Sequence, residues 1–188
     1  MKKLIVLAVF AFAITNTSLA QVELKINPLG LLFNSPDIVG EYLVNDDIGI
    51  ELGIGLIYGK TNIDLGDDLK RSGFSFLAAG KYYFNPDQGC DKFYAGVYLR
   101  PRSLTFKDSD DSDGVDYGYK QSAIGFGLMT GYKFVSAKGI TFEIGFGLGR
   151  ALGAKNTVND SNSTYEIPSL GIDGFGRLSV GYRFGGDN

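Results

Sequence analysis

The sequence predicts an all-β protein: an eight-stranded antiparallel up-and-down transmembrane β-barrel with a filled polar lumen. Three observations carry this. Large apolar residues recur at every second position through most of the chain, as in ITFEIGFGLG from Ile140 to Gly149. Compact turns alternate with longer polar links. A Tyr and a Phe two residues apart close three segments at the same end: Tyr82 and Phe84, Tyr132 and Phe134, Tyr182 and Phe184.

The chain begins with a stretch that reads as an address. Lys2 and Lys3 precede the apolar run Leu4 to Ile14, and Ser18-Leu19-Ala20 offers a cleavage site, so residues 1–20 are expected to be a signal peptide and Gln21 the first mature residue. Its apolar run is too short for a membrane helix, and no later stretch approaches 18 consecutive apolar residues. Barrel strands need only about 9–11 residues, apolar on one face. Turn chemistry divides the rest into segments 22–33, 37–45, 47–61, 73–85, 93–106, 118–134, 140–154 and 166–184. Asn45-Asp46, Asn85 to Lys92 and Ser136 to Gly139 are the compact connections, and the first hairpin around Asn34 to Pro36 is also short. The links at 62–72, 107–117 and 155–165 are longer and rich in Asp, Asn and Ser. The barrel is thus expected over 21–184, with 185–188 as a short periplasmic tail.

Even-numbered positions carry the apolar face: Ile48, Ile50, Leu52, Ile54, Leu56 and Tyr58, then Phe74 and Phe76, then Ile124, Phe126 and Leu128, then Ile172, Leu178 and Val180. The other parity holds Lys25, Glu41, Glu51, Lys81, Lys133, Glu143, Asp173, Arg177 and Arg183 among many of the 27 glycines. A Lys or Arg on the lipid face costs roughly 2–4 kcal/mol at the bilayer midplane. Several together would exceed the about 5–15 kcal/mol that holds a typical protein folded, so they point inward. Eight strands enclose a space that side chains fill, and buried charges must pair. Lys133 should lie close to Glu143 across the hairpin at 136–139. Glu41 and Glu51 should face each other across the Asn45-Asp46 turn, bridged by Lys25 or Lys81. The Tyr and Phe pairs read as an interfacial girdle, an apolar ring with a polar tip being best placed at that level.

Other chemistries fare poorly. GIGLIYGKT (Gly53 to Thr61) approaches a phosphate-binding loop, but Ile54 occupies the first glycine slot and no helix pattern follows. The chain has no histidine, which removes Ser-His-Asp mechanisms and histidine-ligated metal sites. Glu41 and Glu51 are read as part of an ion-pair network rather than an acid-base pair. In DSDDSDGVD (Asp108 to Asp116) the D-x-D-G core suggests calcium, but Ser109 and Lys120 stand where ligands should be. The sequons at Asn159 and Asn162 are assigned to a polar loop, and Cys90 to an incidental thiol. No catalytic residue, cofactor or metal is assigned. The formal charge of −3, which becomes −5 without Lys2 and Lys3, argues against nucleic acid as a partner.

With the signal-like start, the eight segments with their Y-x-F endings, LKINPLGLLF and GEYLVNDDIGIELGIG, the chain resembles the small eight-stranded outer-membrane barrels of the outer-membrane protein A and W type. More narrowly it resembles a barrel family common in Bacteroidota whose members open with a similar K-I-N-P-L segment. The resemblance implies the bacterial outer membrane, contact with its lipid, insertion by the barrel assembly machinery, a monomer, and a non-catalytic role in envelope integrity or surface interaction through long loops. The alternatives are a narrow or laterally opening pore for small or apolar solutes, and a soluble lipocalin-like lipid-binding barrel.

Overall fold

In the computed structural model, described over residues 21–32, 34–62, 68–108, 118–160, 163–168 and 171–185, period-two segments form one closed antiparallel sheet. Its strands are β1 (Val22–Ile26), β2 (Asp37–Leu43), β3 (Ile48–Asn62), β4 (Asp68–Tyr83), β5 (Lys92–Asp108), β6 (Gly118–Val135), β7 (Ile140–Asp160), β8 (Ser163–Pro168) and β9 (Ile172–Phe184). Each of β1 to β7 pairs with the next, and β9 pairs with both β7 and β1, which closes the barrel. β8 continues the ladder on β7, so β8 and β9 together make the eighth strand.

The eighth strand is divided by one extra residue in β7. Between Arg150 and Lys155 β7 advances five residues while its partner moves four, from Ile172 to Pro168. On the other side Leu152 faces Ile124 and Lys155 faces Ser122, the same offset. Gly153, at φ 60°, supplies the left-handed backbone of such a bulge.

The alternation is realised as two faces. Ile48, Ile50, Leu52 and Ile54 on β3 and Ile140, Phe142, Ile144 and Phe146 on β7 are exposed on the outside, whereas Glu51 and Glu143 between them are fully buried. β5 runs on the opposite parity, with Phe93, Val97 and Leu99 outward and Tyr94 and Tyr98 buried inward. The strand following an eight-residue link need not keep its predecessor's numbering.

Three expected boundaries are corrected. The first segment does not run as a strand to residue 33: β1 stops at Ile26 and Pro28–Leu32 forms a short helix, α1. Pro28 has no N–H to give a ladder. Asn27 instead caps the turn, its Oδ1 accepting from Gly30 N at 3.2 Å, and Ser35 N returns to Gly30 O at 2.6 Å. Beyond Gly55 β3 stays paired with β4 but has no β2 partner, and Leu56 N and Tyr58 N donate to Pro36 O and Asn34 O, each at 2.9 Å. The link at 62–72 is also shorter than expected, because β4 begins at Asp68 and pairs Lys70 with Lys60. The expected polar loop at 155–165 is largely a β7–β8 hairpin, with Asn159 facing Thr164. Residues 1–20 and 186–188, and the core of the acidic loop at 109–117, lie outside the described residues.

Small residues make room for large ones inside. Gly131 and Gly145 face each other on β6 and β7, and a Cβ on either would run into the Tyr94 hydroxyl. Overpacking of this kind costs about 1–3 kcal/mol. Gly145→Val is therefore expected to lower the unfolding free energy of the refolded barrel by that amount, read from its denaturant midpoint, whereas a change on the outer face, Ile144→Val, should move it far less.

Candidate functional site

The sequence alternates charges with greasy residues, closure turns one set inward, and a single ion-pair network results. Lys25 (β1) reaches across the barrel to Glu41 (β2, 2.5 Å), Glu51 (β3, 3.0 Å) and Glu143 (β7, 2.5 Å). Lys81 (β4) contacts the same three carboxylates, at 3.3, 2.6 and 2.7 Å. Arg177 (β9) binds Glu51 at 2.6 Å through Nη1 and Glu143 at 2.9 Å through Nη2. Arg183 (β9) and Lys133 (β6) hold Glu23 (β1) at 2.6 and 2.9 Å, and Lys133 also meets Glu41 at 3.2 Å. Tyr83 and Tyr94 donate their hydroxyls to Glu41 and Glu143, at 2.5 and 2.7 Å. Lys133 and Lys81 also sit over the Tyr83 and Tyr94 rings, 4.5 and 4.6 Å from the centroids.

Glu41 and Glu51 face each other in the β2–β3 ladder with both Lys25 and Lys81 between them. Lys133 does face Glu143 in the β6–β7 ladder, but its ammonium turns to Glu23 and Glu41. Glu143 is served by Lys25, Lys81 and Arg177 instead. Asp173 stands apart, nearer the long-loop end, binding Arg100 at 2.6 Å, Arg102 at 3.3 Å and the Tyr98 hydroxyl at 2.9 Å. Glu23, Tyr83, Tyr94, Tyr98, Arg100 and Arg102 were missed by sequence reasoning. Arg100 and Arg102, two apart and opposite in parity to Val97 and Leu99, carried a usable signal. The tyrosines carried none, since a Tyr suits either a girdle or a lumen hydroxyl.

Chemically the network is occupied. Carboxylate oxygens of Glu41, Glu51 and Glu143 lie within 4.8 Å of one another, a spacing that suits a cation, but the Lys25 and Lys81 ammonium groups already fill that role. Each carboxylate is held by at least two cations, so the Glu41 and Glu51 pair has no free group for acid-base work. A cavity of about 260 Å³ lies above the network, touching Asn27, Asp37, Arg100 and Arg177, and another of about 420 Å³ lies at the short-turn end around Gln88, Lys138 and Arg183. The buried network separates them. Cys90, in the link between β4 and β5, is buried with its thiol donating to Asn45 O at 3.2 Å, and burial pushes its pKa up to about 12. The stretch from Gly53 to Thr61 lies within β3 and curls around nothing.

At the short-turn end, Tyr82, Phe84, Tyr132, Phe134, Tyr182 and Phe184 all stand exposed on the outer face. Tyr82 packs edge-on to Phe84 and Tyr182 to Phe184, with centroids 5.0 and 4.9 Å apart.

A closed antiparallel barrel, apolar outside and salt-bridged inside, defines an integral outer-membrane β-barrel protein. The chain belongs to the outer membrane protein beta-barrel domain family, whose model matches residues 40–187. Among solved structures, a major outer membrane protein from Thermus thermophilus shares 12% identity at a TM-score of 0.51, covering 88% of this chain and 99% of that one. Neisserial surface protein A shares 22% identity at a TM-score of 0.46, covering 87% and 92%. No curated protein sequence matches the chain. The filled, ion-paired lumen argues against an open pore and against the lipocalin-like lipid carrier weighed from sequence.

Removing one member of a buried ion pair costs about 3–5 kcal/mol, because its partners are left charged and unpaired. Lys81→Met should lower the barrel's unfolding free energy by that order, measured by urea titration of heat-modifiable gel mobility. An unchanged midpoint would rule out the bridge. Cys90 should resist maleimide at pH 8 in the folded protein and react promptly after boiling in detergent, because the thiolate is the reactive species.

Proposed function

We propose that the protein is a monomeric, plugged outer-membrane barrel that serves envelope integrity or surface contact through the loops at its long-loop end, without catalysis. The observation that carries this reading is the buried network around Glu41, Glu51 and Glu143, which leaves rigid charge where a pore would need water. Loops on a rigid scaffold are where recognition residues concentrate, and the β3–β4, β5–β6 and β7–β8 connections fall at one end of the strands.

Further assignments rest on the sequence reading. Residues 1–20 serve as the export signal, 21–184 as the barrel and 185–188 as a periplasmic tail. The nine charges predicted to face inward, from Lys25 to Arg183, act as a structural network, and the six Tyr and Phe residues as the periplasmic girdle. The β-strand ending at Phe184 presents an aromatic to the barrel assembly machinery. Within its family we group the chain with the outer-membrane protein A and W type and with the Bacteroidota barrels, on the K-I-N-P-L opening it shares with the latter.

The purified barrel is expected to give no stepwise conductance in planar bilayers. Protease added to intact cells should cut within 62–68 or 107–117 and leave the strands whole. Steady single-channel currents from the wild type would overturn the plugged reading, and cleavage only after the outer membrane is opened would reverse the assigned orientation.

A further inference from the structure

The outer wall carries a concavity that barrel closure does not require. Beyond Ile26, which faces Val180, β9 loses its β1 neighbour, and α1 lies alongside in its place. Beside that break is a groove of about 690 Å³, mostly apolar, between Leu29 of α1 and the outward side chains Phe93, Tyr132 and Phe146, with Thr130 and Gly176 as its small members. Thr130, Phe146 and Gly176 are consecutive partners across β6, β7 and β9, so two small positions flank one large ring in a single row. A Cβ on Gly176 would meet nothing within 4 Å. The hollow is therefore open space, not a glycine forced by close packing.

We propose that this groove seats one acyl chain of a phospholipid from the periplasmic leaflet. The groove belongs to the apolar face that meets hydrocarbon, so its occupant comes from within the bilayer. One end is at Tyr132 and Phe93, in the aromatic band next to the short turns, where periplasmic-leaflet headgroups lie. The other is at α1, so a chain entering at the girdle rises along the wall and ends against Leu29. Burial from water supplies no gain between lipid and protein, both being apolar, and selectivity comes from van der Waals fit. A flexible unbranched chain fills such a furrow, and its volume falls within the range of ligand pockets, about 300–1,000 Å³. The convex wall of a second barrel does not fill it.

The test is native mass spectrometry of the full-length folded protein released from nanodiscs of palmitoyl-oleoyl phosphatidylethanolamine and phosphatidylglycerol. Wild type should carry one phospholipid. Gly176→Phe should fill the hollow and reduce the lipid-bound fraction about tenfold or more, equivalent to about 1.4 kcal/mol. Gly80→Phe is the control: Gly80 shares the outward parity on β4 and its Cβ direction is likewise unobstructed, so this variant should retain the lipid. Heat-modifiable mobility establishes that each variant is folded. Leu29→Ala, which shortens the end wall without filling anything, should lower retention even if the phenylalanine variant does not fold. A wild type released without lipid, equal retention in Gly176→Phe, or a wild-type dimer dissociated by Gly176→Phe would each overturn the proposal.

Discussion

A charge that faces hydrocarbon is costly, and a charge inside a barrel must find its opposite. From this constraint the cluster of Glu23, Glu41, Glu51 and Glu143 with Lys25, Lys81, Lys133, Arg177 and Arg183 follows. Four carboxylates and five cations come from seven of the eight barrel strands, all but β5, so the cluster fastens the wall across its diameter as well as along its ladders. β5 joins through the Tyr94 hydroxyl on Glu143. Exchanging such a cluster for apolar side chains need not destabilise a protein, but breaking it does. It acts as a lock more than as a source of net stability.

The glycines answer the same shortage of space. Lumen positions alternate between long charged side chains and residues with no side chain at all, and Tyr94 lies where Gly131 and Gly145 leave room. The ammonium groups of Lys81 and Lys133 rest on tyrosine faces, so the aromatics inside offer both an acceptor surface and a hydroxyl donor. Outside, the Tyr and Phe pairs at the short-turn end stand exposed on the outer face.

The departures from a regular barrel are concentrated toward the long-loop end. α1 replaces the upper part of the first hairpin, the extra residue at Gly153 shifts β7 against both neighbours, and the Asp173, Arg100 and Arg102 group sits apart from the main network. The short-turn end has compact connections, and Glu23 is held there by Lys133 and Arg183.

Period-two alternation is a local property, so the sequence by itself determined which residues of most strands face lipid, where the compact turns fall, and that mixed charges must share an interior. Pro28 lay inside the first expected segment, and its consequence was legible only once Asn27 was seen capping α1 in place of a longer β1. Closure decided the rest. Lys133 faces Glu143 along its hairpin but pairs with Glu23 and Glu41, because side chains meeting in a lumen are chosen by barrel radius and stagger, not by separation along the chain. β5's reversed parity was legible in part: the link from Phe84 to Asp91 carries no period, but Arg100 and Arg102 stand opposite in parity to Val97 and Leu99, and only the positions of Glu143 and Asp173 across the barrel show why Tyr94 and Tyr98 face inside.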